Sequence, residues 1–245
     1  MPSYSDWRLP NKNELASLVH LGQGNPAAWL NSQGFSGVKA VAGGYYWSST
    51  TTGPDSSRAF IVYMYDGSLN FDLKTVSRYA FAARDGQSGT LGIPKTGQTI
   101  SYAAGDDGDL QRGTSWPNPR FVDNMDGTVT DNLTGFVWEK NPSGTSSITW
   151  AQALAYADVL VLAGYSDWRL PNRNELLSLT NAGQSDTASW LIGQGFLGIM
   201  SSYYWPSTTF TSSTVYAWGV GMVFGDALNI TQAPGCYVLA VRGGQ

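Results

Sequence analysis

The sequence predicts an α+β protein made of one partial and one complete copy of the same module. Three observations carry this. The block Tyr4-Ser-Asp-Trp-Arg-Leu-Pro-Asn-Lys-Asn-Glu-Leu-Ala-Ser-Leu18 returns as Tyr165-Ser-Asp-Trp-Arg-Leu-Pro-Asn-Arg-Asn-Glu-Leu-Leu-Ser-Leu179, with thirteen of fifteen positions identical, which marks a repeat architecture. Local signals run hairpin, helix, helix and then short strands, an α+β order rather than a βαβ one. Charged residues are only 13% of the chain while aromatics also reach 13% and glycines number 29. That composition is turn-rich yet has ample area to bury, unlike a disordered chain.

The elements follow from local chemistry. Asn11 and Asn172 each stand three residues before a glutamate, Glu14 and Glu175, ahead of Leu15, Leu18, Leu176 and Leu179. This is the capping-box signature of a short helix. Phe121 to Trp138 alternates around Asp126-Gly127 and reads as a hairpin with its turn there. Thr149 to Leu162 has the Ala-rich spacing of a longer amphipathic helix. Short strands are expected around Tyr45–Ser49, Ala59–Tyr65 and Tyr79–Arg84, and again around Tyr203–Ser207, Val215–Phe224 and Tyr237–Arg242. Phe60, Val62 and Met64 match Trp218, Val220 and Met222, whereas Ile61, Tyr63 and Tyr65 face Gly219, Gly221 and Val223. The face that keeps its apolar type is the expected core.

Offsets define the copies. Trp7 maps to Trp168, an offset of 161 (168 − 7), and after a three-residue deletion Tyr45 maps to Tyr203, an offset of 158 (203 − 45). The second offset carries Arg84 to Arg242 and Gln87 to Gln245. Residues 1–87 are therefore expected to form the C-terminal half of a first module, 88–120 a linker and the start of a second, and 121–245 a complete module. The first half lacks the hairpin and long helix of the second, which predicts open strand edges or an open apolar face. Either the chain is cut from a longer array, the reading the repeat favours, or the half packs on its neighbour; self-association through the incomplete module is a further route.

Composition excludes several classes. At 245 residues the chain is long enough for a real core. A net charge of −4 without a Lys/Arg cluster argues against nucleic acid. No apolar run approaches the ~20 residues of a membrane span, and Met1-Pro-Ser-Tyr4 has no feature of an export signal. One cysteine, Cys236, and one histidine, His20, provide neither an intrachain disulfide nor a zinc set. Cys236 matches Arg78 and reads as an inert, buried thiol. His20 matches Asn181, and no nucleophile or phosphate-loop pattern appears.

Asp-Trp-Arg-Leu-Pro-Asn-x-Asn-Glu-Leu, followed by Tyr-Tyr-Trp and a terminal Val-Arg-Gly-Gly, and preceded by Pro94-Lys-Thr-Gly-Gln98 and Asp126-Gly-Thr-Val-Thr-Asp131, resembles the Lcl C-terminal domain family, named for a collagen-like adhesin of Legionella. The resemblance implies a C-type-lectin-like fold related to that of the formylglycine-generating enzyme. It also implies an extracellular or cell-surface setting and a role in adhesion or ligand binding, not catalysis. Sulfated polysaccharide, associated with the naming adhesin, is disfavoured by the acidic charge. The paired cysteines of the related oxidising enzymes have no counterpart.

Candidate contact residues come from where the copies disagree. Ser68 to Arg78 against Asp226 to Cys236 share none of eleven aligned positions, and Thr52 to Arg58 against Phe210 to Tyr216 share nothing. Surface loops presenting different side chains from one frame would look like this, and so would unconstrained drift. On the functional reading Asp66, Asn70, Phe71, Asp72, Lys74 and Arg78, with Phe224, Asp226, Asn229, Thr231 and Gln232, contact a cell-surface glycan or protein. Relatives in which retroelements diversify this region suggest a receptor-binding variant of that reading. Self-assembly into an extracellular fibre or surface layer is the structural alternative, and an enzyme of the related fold is disfavoured. Asp106-Asp-Gly-Asp109 and Asp123-Asn-Met-Asp126 allow calcium without implying it, since turn chemistry explains both. Arg8 and Arg169 read as structural partners of a carboxylate or of backbone carbonyls. Trp116-Pro-Asn-Pro119 is open between sugar stacking and packing.

Overall fold

A computed structural model describes residues 4–53, 55–84, 92–142, 146–233 and 235–243. The end of the first half-module and the start of the linker, residues 85–91, lie outside the described residues, as do Gly244 and Gln245. The chain divides into two compact units, residues 1–115 with 182–184, and residues 116–181 with 185–245. Among the described residues no helix is long and apolar enough to cross a membrane.

In the first unit α1 (Lys12–Ala16) and α2 (Pro26–Ser32) precede four strands, β1 (Tyr45–Thr52), β2 (Asp55–Tyr63), β3 (Ser68–Leu73) and β4 (Tyr79–Ala80). Asn11 caps α1 in a full capping box with Glu14, as the spacing predicts. Asn25 caps α2 with Pro26 at its start. β1 pairs antiparallel with β2 and parallel with β4, and β2 pairs antiparallel with β3, giving the order β4-β1-β2-β3. Residues 92–115 also belong to this unit, with α3 (Asp107–Leu110). They are bound to the repeated block: Asn11 Nδ2 donates to Arg112 O at 3.1 Å, and Asn13 Nδ2 to Pro94 O at 3.0 Å. Gln98 exchanges bonds of 3.0 and 2.7 Å with the Thr51 backbone.

The second unit opens with β5 (Phe121–Asp123), β6 (Thr128–Asp131) and β7 (Phe136–Glu139). The predicted hairpin is thus a three-stranded meander, because a second turn closes where Gly135 N–H donates to Asp131 O at 2.8 Å. Helices α4 (Trp150–Asp158), α5 (Arg173–Ser178) and α6 (Thr187–Gly193) follow, then β8 (Tyr203–Tyr204), β9 (Tyr216–Gly221), β10 (Ala227–Thr231) and β11 (Val241–Gly243). The architecture is mixed α+β and mostly β. β8, β9 and β10 form an antiparallel ladder. β11 joins the meander in the order β11-β7-β6-β5, pairing Val241 with Trp138. In the first copy Ala83, the counterpart of Val241, bridges to Arg8 as Val241 does to Arg169, and among the described residues of this unit no meander pairs with it.

The retained apolar face is the core in both units. Phe60, Val62 and Met64 are buried, as are Trp218, Val220 and Met222. Each half is closed by the same backbone bond, Ala27 N–H to Met64 O and Ala188 N–H to Met222 O, both 2.8 Å. A buried cation lies over this face in each unit: Lys12 Nζ 4.8 Å from the Phe60 ring and the Arg173 guanidinium 4.3 Å from Trp218, contacts that a desolvated site strengthens. Near Lys12, the buried Asp107 carboxylate accepts from Thr50 Oγ1 at 2.7 Å and from Thr96 Oγ1 at 2.5 Å. Burial pushes that carboxyl above its usual value against the pull of both hydroxyls and of Lys12.

Two buried polar contacts hold the second unit's N-terminal half in place. Arg120 pairs with the fully buried Asp131 at 3.1 Å and donates to Ser178 O at 2.6 Å. Its guanidinium also lies 4.3 Å from the Trp116 ring. Removing one partner of such a pair leaves a stranded charge, so Asp131→Ala is expected to destabilise this unit by about 3–5 kcal/mol in urea unfolding, and Arg120→Met with Asp131→Leu by clearly less. Glu139, buried on β7, accepts from the Tyr156 hydroxyl of α4 and from Ala240 N–H. Burial raises its pKa above the ordinary 4.5 despite those donors. The folded state therefore holds this proton more tightly than the unfolded chain. Its contribution is full below pH 4.5 and is lost as pH rises through the folded value. Glu139→Gln, neutral throughout, should gain stability relative to the parent as pH is raised from 4 to 7 in thermal unfolding; a constant difference across that range would contradict it.

Candidate functional site

The repeated block builds a frame, and its geometry is the same in both units. Arg8 grips Glu14 through two bonds of 2.7 and 2.6 Å, and Arg169 grips Glu175 at 2.6 and 2.9 Å. The glutamate so held also caps its helix, accepting from Asn11 N–H at 2.8 Å and Asn172 N–H at 2.7 Å. Arg84 lies 3.5 Å over Tyr4 and pairs with Asp6, and Arg242 lies 3.5 Å over Tyr165 and pairs with Asp167. Arg8 and Arg169 are therefore the structural partners their neighbours suggested.

What differs is the sheet face opposite the core. In the first unit β3 and β4 flank the β1–β2 pair on opposite sides, so the connection from Lys74 to Arg78 must cross one face. It crosses the face bearing Tyr45, Trp47, Ala59, Ile61 and Tyr63, since Arg78 sits 4.8 Å from the Tyr45 ring. Tyr45 stacks on its cross-strand partner Tyr63 at 4.3 Å, and Tyr65 is 5.7 Å further on. Arg78 reaches over the face to Asp72, Nη2 to Oδ2 2.5 Å, and this hydrogen bond holds the Asp72 carboxyl below its usual value. Lys74 lies 5.4 Å from the Tyr102 ring, and burial lowers its pKa.

Four first-copy candidates converge here: Asp72, Lys74 and Arg78 on or beside the crossing segment, and Asn70 opposite Ile61 on the same face. Asp66 lies in the β2–β3 turn, accepting from Ser68 N–H at 2.8 Å. Phe71 points to the other face, edge-on to Phe60. The expectation that these are loops is corrected: residues 68–73 and 227–231 are β3 and β10. Both copies keep a left-handed glycine before the strand, Gly67 at φ 89° and Gly225 at φ 79°, where a Cβ would be strained.

In the second unit α4 covers the equivalent face. Ala153 and Ala157 pack with Leu170, Trp205, Ala217, Cys236 and Val238, and Tyr203 and Ile230 join them. Trp150 Nε1 donates to Pro206 O and Trp205 Nε1 to Ile148 O, both 2.8 Å. Cys236 exchanges backbone bonds with Ile148, and burial pushes its thiol up to about 12. Tyr203 lies over Gly219 and Gly221, where added Cβ atoms would come within 3.5 and 3.3 Å of its ring. Its hydroxyl donates to Asp226 Oδ2 at 2.6 Å. Asp226 is only 3% exposed, so it braces the strand and does not present to solvent. Phe224, Asn229, Thr231 and Gln232 are half-buried; Asn229 and Thr231 pair opposite Trp218 and Tyr216, and Gln232 Nε2 donates to Tyr216 O at 3.3 Å. The second-copy candidates thus do not gather on an open face.

The first unit has a cleft of about 390 Å³ beside its crossing segment, lined by Leu9, Trp47, Ser49, Ala59 and Lys74, with Ala103 to Asp106 along its wall; the second unit has one of about 640 Å³ beside α4, lined by Leu154, Ala155, Trp168, Leu170 and Ser207 among others. Sequence reasoning passed over most of this lining as a site, Leu9, Trp47 and Ala103 among it. The burial of matched residues could have flagged it only with a structure: Trp7 is 54% exposed and Trp168 4%. The acidic loops serve turns and caps. Asp106 accepts from three backbone N–H groups, Asp126 from Thr128, and Asp123 pairs with Lys140 at 2.6 Å. Among the described residues no three His, Cys, Asp or Glu gather as a metal site. Trp116 packs against Trp190 at 5.6 Å and under Arg120, a packing anchor.

A comparison with curated proteins found no match. A family model described as the Lcl C-terminal domain matches residues 1–84 and 127–242. The two matched stretches follow the two copies and omit residues 92–115, which pack on the first unit. The repeated frame and this match, covering most of the chain, agree: the chain belongs to the Lcl C-terminal domain family, and carries it in tandem.

Proposed function

We propose that the chain is an extracellular, non-catalytic, C-type-lectin-like module of the adhesin type that takes a glycan or protein ligand on the open sheet face of its first unit. The observation that carries this is the contrast between units. The same face packs against α4 in the second unit, whereas in the first it buries Ala59 and Ile61 and carries at its surface the partly exposed Asn70, Asp72, Lys74 and Arg78 with the Tyr45–Tyr63–Tyr65 row. Aromatic rings beside fixed hydrogen-bonding groups suit sugar rings and protein side chains alike. Paired copies would add avidity in an array. The non-catalytic reading is supported by how the titratable groups are used: the single histidine, His20, sits edge-on to Trp29 at 4.8 Å and accepts from Gly22 N–H at 3.1 Å.

A glycan array and cell-surface binding assay, with and without calcium, should find a ligand for the parent chain. Asp72→Ala with Arg78→Ala should reduce that binding tenfold or more, while Asn229→Ala with Thr231→Ala leaves it within twofold. The reverse pattern would move the site to the second unit, and a parent that binds nothing would favour the self-assembling, structural role.

A further inference from the structure

We infer that the second unit carries a docking site for a second copy of the loop formed by residues 92–115, on the surface that matches the one this loop covers in the first unit. The loop is built as a piece of its own. Thr114 N–H donates to Ile93 O at 2.8 Å and Lys95 N–H to Thr114 O at 3.0 Å, which closes its two ends on each other. Inside it Asp106 caps α3. The loop lies on Asn11, Lys12, Asn13, Thr50 and Thr51. Asn11 and Asn13 donate their side-chain amides to Arg112 O and Pro94 O, and Thr50 Oγ1 donates to Asp107 Oδ2. Gln98 bonds the Thr51 backbone in both directions, and the Lys12 charge acts on the Asp107 carboxyl. Under this cover Asn11, Lys12, Thr50 and Thr51 are at most 1% exposed.

The second unit presents the same groups at its surface. The matched residues are Asn172, Arg173, Asn174, Thr208 and Thr209, identical except that Arg173 stands for Lys12. Their frame is the same: Thr208 Oγ1 accepts from Arg173 N–H at 2.9 Å as Thr50 Oγ1 does from Lys12 N–H, and Ser207 N–H bonds Pro171 O as Ser49 N–H bonds Pro10 O. Yet Asn172, Asn174 and Thr209 are exposed and Thr208 is half-buried. Among the described residues no partner accepts from the side-chain amides of Asn172 and Asn174. The seven positions after Thr209 share nothing with their counterparts, so exposed residues here are free to change, and Asn174 and Thr209 have not. Two amides fixed by the start of α5, a threonine hydroxyl and the buried Arg173 form a template for two backbone carbonyls and one carboxylate. Those are the acceptors that Pro94, Arg112 and Asp107 offer. Each bond replaces one to water and adds little alone; the register of all of them selects this loop. A loop seated there joins modules head to tail, a heterologous contact that repeats along a line.

The probe is a fluorescein-labelled peptide of residues 92–115 with its termini linked, because the ends already lie together and closure lowers the cost of ordering it. Anisotropy titration against the intact chain should show saturable binding at a single site. Asn174→Ala with Asn172→Ser, which removes both amides and keeps a capping side chain on α5, should weaken binding about tenfold or more, the worth of two hydrogen bonds. The peptide carrying Asp107→Ala should lose about as much against the parent chain. Asn13→Ala, in the first unit, should leave binding within about twofold of the parent, less than the loss of one hydrogen bond. Absence of saturable binding, equal binding by the Asn172/Asn174 double variant or by the Asp107→Ala peptide, or a loss through Asn13→Ala in its place, which would report exchange with the chain's own loop, each overturns the inference. None of these residues takes part in the ligand reading above, so the two can fail separately.

Discussion

The organisation of this protein depends on one constraint: a three- or four-stranded sheet has two faces, and each must be either covered or made compatible with water. One face has the same solution in both units. Short capped helices deliver a leucine and a buried cation onto Phe60 or Trp218, and a single backbone bond to Met64 or Met222 fastens the next helix. The other face has two solutions. In the second unit α4 packs on it, and most of the residues beneath are apolar or reduced to glycine. In the first unit the Lys74–Arg78 crossing segment lies on it, Ala59 and Ile61 stay buried, and the positions around them are tyrosine, asparagine, aspartate and arginine.

That contrast changes how the divergence between copies is read. Drift and selection for ligand contact both assume that the copies share an environment. They do not. Cys236 lies under Ile148 and pairs with its backbone, where an arginine would strand its charge in an apolar layer. Arg78, without that cover, can reach Asp72. Gly221 is small because Tyr203 and Asp226 occupy the space its Cβ would take, with Asp226 Oδ1 only 2.3 Å away. Tyr63, its counterpart, can be large because Tyr45 stacks on it instead. The substitutions in Ser68 to Arg78 are therefore linked through packing, and the polar set of the first unit is a coherent surface.

Much of the frame was legible in the sequence because its signals are local. Capping boxes at Asn11 and Asn172, the core parity of Phe60-Val62-Met64, and Arg8 as a carboxylate partner are set within a few residues. α2 and α6 were missed although Asn25-Pro26 and Asp186 carry start signals, since seven-residue helices bury too few side chains to show a period. β3 and β10 were read as loops because the two copies' sequences disagree there, while their pairing with β2 and β9 depends on backbone bonds that any side chain permits. The role of residues 92–115 was hidden altogether. Bonds such as Thr96 and Thr50 to Asp107 join residues distant in sequence, and no spacing rule reports them.

The candidate site was legible by half for the same reason. Asn70, Asp72, Lys74 and Arg78 could be picked out by comparing copies, but not the cleft beside them, because Leu9, Trp47, Ser49 and Ala59 are identical to their counterparts. Identity hid them: a comparison of copies finds what changed, and these residues changed only in what lies above them. Burying one large apolar side chain contributes about 1.5–3 kcal/mol, which the second unit gains at Trp168 and Trp205 from α4 and its following segment. Trp7 keeps the same residue with 54% of its surface exposed, while Trp47 is half-buried with no such helix above it among the described residues. The neighbouring positions have turned polar while the tryptophans have not, because the tryptophans still belong to the frame shared by both copies. Asp72 and Arg78 stand where Ile230 and Cys236 pack against α4, so the ion pair, not an apolar side chain, fills that part of the first unit's face.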